Sequence, residues 1–271
     1  MKRDAWIVAA LLCVMGSGAY VHAQNSKTMV VGHRGLIRHA PENTGAGFVA
    51  CLSLRIGFEL DIRRSRDGVL VCVHDADVNR TTNGTGKVRD MTLAELRKLD
   101  AGVRFAPQFK GERVPTFEEV LTLFELMNRP DVLIALDIKD EDDTIEADIA
   151  SLVEKHRATR HVVCIGRAIT EATCRKNLRA ASAKIPIAVL AGKDEVATAL
   201  ADHHADWIYL RFVPTADQVA AIHKAGKRVF LSGPLVAGNE PAAWRTALAA
   251  GVDAILTDYP LDLRLVQKTK P

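Results

Sequence analysis

Short apolar, β-rich runs alternate along this chain with segments of helical period, and that alternation limits the fold more than any other feature of the sequence. The runs are Met29–Gly32, Phe58–Ile62, Val69–Val73, Val132–Ile138, Val162–Gly166, Ile185–Leu190, Trp207–Leu210, Arg228–Ser232 and Ala254–Thr257. Between them lie helical stretches such as Thr116 to Phe124 and Thr215 to Ile222, the latter with Thr215 placed as N-cap and Gly226 as stop. Near-continuous apolar strands separated by helices describe a parallel sheet covered by helices. Nine runs are one too many for a closed eight-stranded barrel. Only Arg63 to Gly68 separates the second run from the third. A parallel crossover needs about a dozen residues, whereas this Ser-Arg-Asp-Gly stretch suits a tight reversal. Val69–Val73 is therefore expected as an extra short strand folded back on strand 2, and the other eight as an α/β (β/α)8 TIM barrel. An open doubly wound sheet is the runner-up. Its dinucleotide-binding form is disfavoured because no Gly-x-Gly-x-x-Gly follows the first strand.

The first 23 residues stand apart from that pattern. Lys2 and Arg3 precede an apolar stretch from Ala5 to Val14, then Gly16-Ser17-Gly18-Ala19, and Val21-His22-Ala23 has the A-x-A-like form of a signal-peptidase site. The apolar stretch is well short of the ~20 residues that span a bilayer. The expectation is an exported protein, periplasmic or secreted, cleaved near Ala23, with residues 24–271 as one barrel domain and no stable membrane insertion afterwards. The competing reading is an uncleaved anchor. Hydrophobic residues at 48% supply a core without staples. A formal net charge of +3 gives no basis for nucleic-acid binding and permits only mild attraction to anionic substrates. Cys51, Cys72, Cys164 and Cys174 have no C-x-x-C spacing and imply neither a disulfide framework nor thiol chemistry.

Polar residues that interrupt or end barrel strands are where catalysis is expected. Strand 1 runs into Gly32-His33-Arg34-Gly35, and strand 2 carries Glu59 and Asp61, two apart and hence on one face. The extra strand ends in His74-Asp75. The third barrel strand carries Asp137 and Lys139, also two apart, and the last ends in Thr257-Asp258-Tyr259-Pro260. A charge on a barrel strand faces either the core or the helix layer and is costly in both, so Glu59 and Asp61 together call for a cation. Plainer readings stand beside these: solvated carboxylates, structural histidines, Lys139 merely pairing with Asp137, Asp258 as a helix N-cap.

In order along the chain, His33-Arg34-Gly35, Pro41-Glu42-Asn43-Thr44, Glu59-Leu60-Asp61, His74-Asp75, Arg80-Thr81-Thr82 with Gly84 and Gly86, Val114-Pro115-Thr116, Asp137-Ile138-Lys139 and Thr257-Asp258 resemble the glycerophosphodiester phosphodiesterases. The likeness covers nearly the whole chain beyond residue 24 and implies the same barrel. It implies metal-dependent hydrolysis of a small glycerophosphodiester to glycerol 3-phosphate and an alcohol. By that resemblance Glu59, Asp61 and Asp137 are metal ligands for one divalent cation, Mg2+ or Ca2+, and His33 and His74 are an acid–base pair. Arg34 and Lys139 are a phosphate clamp, Asp75 has a supporting place, and Glu42 belongs to the metal or histidine environment. The attacker is water or the neighbouring glycerol hydroxyl. Two departures stand out: Asp137 where the family usually has Glu, and Phe230-Leu231-Ser232-Gly233 where a Trp usually ends the penultimate strand. Competing functions are a lyase on the same plan that releases a cyclic phosphate and a non-catalytic exported binding protein. A metal-dependent amidohydrolase fails because the chain contains no His-x-His.

Overall fold

The computed structural model describes residues 27–269; the expected leader and its cleavage site after Ala23 lie outside them. Among the described residues the strands are β1 (Met29–Gly32), β2 (Gly57–Arg64), β3 (Leu70–Cys72), β4 (Ile134–Ile138), β5 (Val162–Gly166), β6 (Ala188–Ala191), β7 (Trp207–Leu210), β8 (Arg228–Leu231) and β9 (Ala254–Thr257). Eight run parallel in the order β5-β4-β2-β1-β9-β8-β7-β6. A parallel bridge between Cys164 and Ile187 brings the two ends together, which gives a nearly closed barrel with helices between its strands.

The extra strand is where the spacing put it. β3 pairs antiparallel with β2, Ile62 opposite Cys72 and Arg64 opposite Leu70. The reversal is built locally: Ser65 Oγ accepts from the Val69 N–H at 2.9 Å and donates to Asp67 at 2.7 Å. β6 starts later than its apolar run because Pro186 has no N–H to give to a ladder; its carbonyl instead accepts from Cys164 at 2.9 Å.

Side chains alternate along each strand. Val31, Ala135, Val163, Ile165, Trp207, Tyr209, Phe230, Ala254 and Leu256 form one apolar cluster, the barrel interior. Their neighbours in sequence, among them Val30, Leu136, Ile208 and Ile255, belong to the larger core under the helices. A third, smaller cluster of Val71, Val73, Val78, Val88, Leu96, Ala101 and Val114 lies in the excursion between β3 and β4. Helix starts are well defined. Thr116 with Glu119 and Thr215 with Gln218 form capping boxes on Phe117–Met127 and Ala216–Lys224, each cap contributing about 1 kcal/mol. All four described cysteines are buried and unpaired, and burial pushes the Cys51 and Cys174 thiols up to about 12, which keeps them inert. Among the described residues no helix is long and apolar enough to cross a membrane.

Candidate active site

Barrel parity decides where the charges go. Glu59 lies beside Ala135 in the β2–β4 register, and Asp61 beside Asp137, which in turn neighbours Ile165 of β5. These carboxylates therefore continue the interior rows upward, above the apolar plug, at the C-terminal mouth. Glu59 is 1% exposed and Asp61 0%, a burial that costs several kcal/mol per ion unless charge is returned to them.

The neighbouring chain returns part of it. β1 runs into a tight turn at Gly32, where a Cβ would stand 2.5 Å from the Gly35 carbonyl. Arg34 there adopts a left-handed φ of +53°, an uncommon conformation for a non-glycine residue. That geometry aims its backbone N–H at Glu59 Oε2, 2.7 Å away. Its guanidinium donates to Glu42 at 3.1 Å and lies 3.6 Å from Asp61 Oδ2. Asn43, also left-handed, donates to Asp61 Oδ2 at 2.7 Å and accepts from the Asp61 N–H at 3.1 Å. It is held in that pose because Thr44 begins the next helix, Gly45–Ser53, as its N-cap. Lys139 Nζ stands between two carboxylates, 3.0 Å from Asp61 Oδ1 and 2.8 Å from Asp137 Oδ2.

The balance is uneven. Burial, and then the Asp61 and Asp137 charges, push Glu59 well above the usual carboxylate range. Burial also raises Asp137, with Lys139 opposing. For Asp61 burial works the same way, yet Lys139, Asn43 and Arg34 outweigh it and hold the acid low. The cluster is thus short of positive charge at one point. One oxygen from each of Glu59, Asp61 and Asp137 lies within 4.8 Å of the others, and Asp137 Oδ1 is buried without a hydrogen-bond partner. An all-oxygen set of this kind fits a hard divalent cation. Asp137 has room because β5 ends in Gly166, where a Cβ would fall 2.2 Å from that same Oδ1.

Two histidines flank the carboxylates, and each has its Nδ1 on an acid. The His33 N–H extends the β1–β9 ladder to the Thr257 carbonyl at 3.1 Å, and its ring Nδ1 lies 2.7 Å from Asp258. Asp258 does not cap the following helix, whose N-cap position is Tyr259. His74 follows β3 and is fixed at its carbonyl by the Arg63 Nε and Nη2 donors at 3.0 and 2.8 Å; its Nδ1 is 2.7 Å from Asp75. Asp75 in turn accepts from Arg80 Nε at 2.7 Å, and Arg80, ahead of the opposing effect of burial, holds the Asp75 carboxyl down at about 2. Among the described residues Glu42 makes no hydrogen bond to the three carboxylates or to a histidine ring; its partners are Arg34 and Arg80. It grips Arg80 with both oxygens, at 2.6 and 2.8 Å, and so reaches His74 through Asp75.

The residues singled out in the sequence, His33, Arg34, Glu42, Glu59, Asp61, His74, Asp75, Asp137 and Lys139, thus meet at one mouth. Asp258, Asn43 and Arg80 complete the arrangement without having been given roles. Each stood in a recognised motif, but its partner is set by topology. At the end of β8, Ser232 accepts from the Tyr209 hydroxyl at 2.5 Å, and Phe230 stacks on Tyr209 with centroids 5.4 Å apart. An aromatic wall is therefore present in the interior below the position where the family usually carries Trp.

Residues 33–262 match the Glycerophosphoryl diester phosphodiesterase family. The chain belongs to that family. A glycerophosphodiester phosphodiesterase from Caldanaerobacter subterraneus subsp. tengcongensis is 49% identical over 114 residues, 42% of this chain and 46% of that protein, so the match spans just under half of that relative. The crystal structure of a glycerophosphodiester phosphodiesterase from Agrobacterium tumefaciens str. C58 aligns with a TM-score of 0.73 at 31% identity, covering 87% of this chain and 98% of that one. An Oleispira antarctica phosphodiesterase, solved with its product sn-glycerol-3-phosphate, shares the fold, with a TM-score of 0.71 at 21% identity over 89% of this chain and 97% of that one.

Proposed function

We propose that this phosphodiesterase hydrolyses small glycerophosphodiesters to glycerol 3-phosphate and a free alcohol with one divalent cation, Mg2+ or Ca2+, and a pair of histidines. The observation that carries the reading is the convergence of Glu59, Asp61 and Asp137 at one barrel mouth, flanked by two histidines whose Nδ1 atoms are each engaged by a carboxylate. Glu59, Asp61 and Asp137 would hold the cation, which when bound supplies Lewis-acid polarisation of the phosphoryl oxygen and of the attacking hydroxyl. With Nδ1 committed to Asp258 or Asp75, Nε2 is the ring atom left to exchange protons, and the carboxylate stabilises the imidazolium as it forms. One histidine takes the proton of the attacking hydroxyl and the other delivers a proton to the leaving oxygen. Arg34 and Lys139 sit beside the carboxylates, placed to balance charge that builds on the non-bridging oxygens. The leader read in residues 1–23 adds an exported location, with Gln24 as the mature amino terminus.

The test is release of glycerol 3-phosphate from a panel of glycerophosphodiesters, with chelator and with added Mg2+ or Ca2+. Turnover that chelation abolishes and a divalent cation restores is the expected result. Full activity of rigorously metal-free enzyme overturns the metal assignment, and accumulation of a stable cyclic phosphate overturns the hydrolytic one.

A further inference from the structure

His74 stands at the end of a line of charged contacts in which the reaction above gives no part to Arg80 or Glu42. Asp75 holds its ring, Arg80 Nε holds Asp75, and the terminal nitrogens of Arg80 hold both oxygens of Glu42. Glu42 Oε1 also accepts from Arg34 Nη1 at 3.1 Å. Donors of one guanidinium are therefore committed to two carboxylates on separate loops, the Pro41–Thr44 turn after β1 and the excursion after β3. A planar fork spreads three separate nitrogen donors over the two acids, which the single nitrogen of a lysine ammonium does not. His33 has no such brace: among the described residues the Asp258 carboxylate meets only the His33 ring. The backbone of His74 is fixed by Arg63, but the angle of its ring is left to Asp75, and that of Asp75 to Arg80. Arg80 is 47% exposed, so its ion pairs add little to folding stability, and the conformational precision it gives is the larger effect.

We propose that Arg80 is a positioning residue that, by bracing Asp75 against Glu42, fixes the His74 imidazole for proton transfer and locks its place relative to the phosphate-binding Arg34. The proposal rests on His74 and Arg34 acting as described above. Misplacing a reacting group by about 1 Å can cost on the order of a hundredfold, which sets the scale.

The experiment uses Arg80→Gln, Arg80→Lys, Asp75→Asn and the Arg80→Gln/Asp75→Asn double variant, each saturated with divalent cation. It reads kcat, KM and Tm, and the His74 tautomer by 15N NMR. The expected result is a kcat loss of roughly 10- to 100-fold in Arg80→Gln, larger than any rise in KM, with Tm little changed. Arg80→Lys should recover little of it, because one ammonium nitrogen does not grip both Glu42 oxygens and Asp75 with the fixed angles of the fork. The double variant should be no slower than Asp75→Asn, since both changes break one line of contacts. The NMR signal should pass from a fixed Nδ1–H tautomer to a mixture. Wild-type kcat in Arg80→Gln, full rescue by Lys, or losses that multiply in the double variant overturn the proposal. If Arg80→Gln fails to fold, the same cycle run with Arg80→Lys decides by the same criterion. The tautomer does not depend on turnover: an inactive wild type defeats the proposed reaction, while an unchanged tautomer in the Arg80 variants defeats this proposal alone.

Discussion

The two histidine corners of the mouth reach the same local geometry, a 2.7 Å contact from ring Nδ1 to a carboxylate, by opposite routes. The His33 corner joins residues 225 positions apart and is set by adjacent barrel strands β1 and β9. The His74 corner joins neighbours in sequence and hangs on a hairpin outside the barrel ladder, steadied by Arg63, Arg80 and Glu42. An orienting acid can therefore be supplied by rigid topology or by a web of side chains. The first needs few contacts and the second needs many, because nothing but those contacts restrains it.

The comparison breaks most sharply if one corner does no chemistry. His33→Ala and His74→Ala should each lose at least the ~10²-fold typical of a missing general acid or base while circular dichroism stays native. A wild-type rate in either variant removes that corner from the mechanism. A p-nitrophenyl leaving group should rescue whichever variant has lost the acid. A smaller effect separates the two supports. Asp258→Asn should lower kcat roughly tenfold or more and leave metal affinity alone, and its pH–rate profile should move along one limb only. No change in kcat would make Asp258 a bystander to His33.

Between the corners lies the shared carboxylate cluster, where smaller effects are expected. Asp137→Asn keeps the shape and removes a charge, so divalent-ion titration should show affinity about tenfold weaker or worse. Asp137→Glu keeps the charge beside the cation site and should retain binding. Unchanged affinity in Asp137→Asn would leave strand β4 contributing only Lys139. The smallest effect is in pH dependence. Glu59 has its folded pKa raised well above 4.5 by burial and by Asp61 and Asp137. A raised acid favours the fold most below its unfolded pKa and costs stability as pH climbs from there through the folded value. A divalent ion held there would reverse this by binding the deprotonated form. The rise in Tm on adding metal should therefore grow as pH climbs above the ordinary carboxylate range; a rise independent of pH would mean Glu59 is already ionised without the ion.

Legibility in the sequence follows the same division between local and distant. The barrel was readable because apolar runs and helical periods are local patterns, and the extra strand because its connection is too short for a crossover. Asp75 could be paired with His74 by adjacency. Asp258 looked as much like a helix cap as a site residue at a strand end, and its pairing with His33 could not be read because nothing local tells that β9 lies beside β1. Arg80 stood in a recognised motif, yet its two acids come from different loops, and only the fold unites them. Strand ends were less legible where one residue decides, as at Pro186, which delays β6 until Ala188.

The excursion between β3 and β4 has its own small apolar cluster and joins the barrel's hydrogen-bond ladder through three register pairs of β3. It carries His74, Asp75 and Arg80, whereas the three clustered carboxylates sit on barrel strands. Opening such a sub-unit requires only a fraction of the free energy that unfolds the whole. Loss of activity and loss of the fold are therefore expected as separate events. In mild denaturant turnover should stop while the amides of the parallel strands stay protected from hydrogen exchange, and it should return on dilution with no barrel to rebuild.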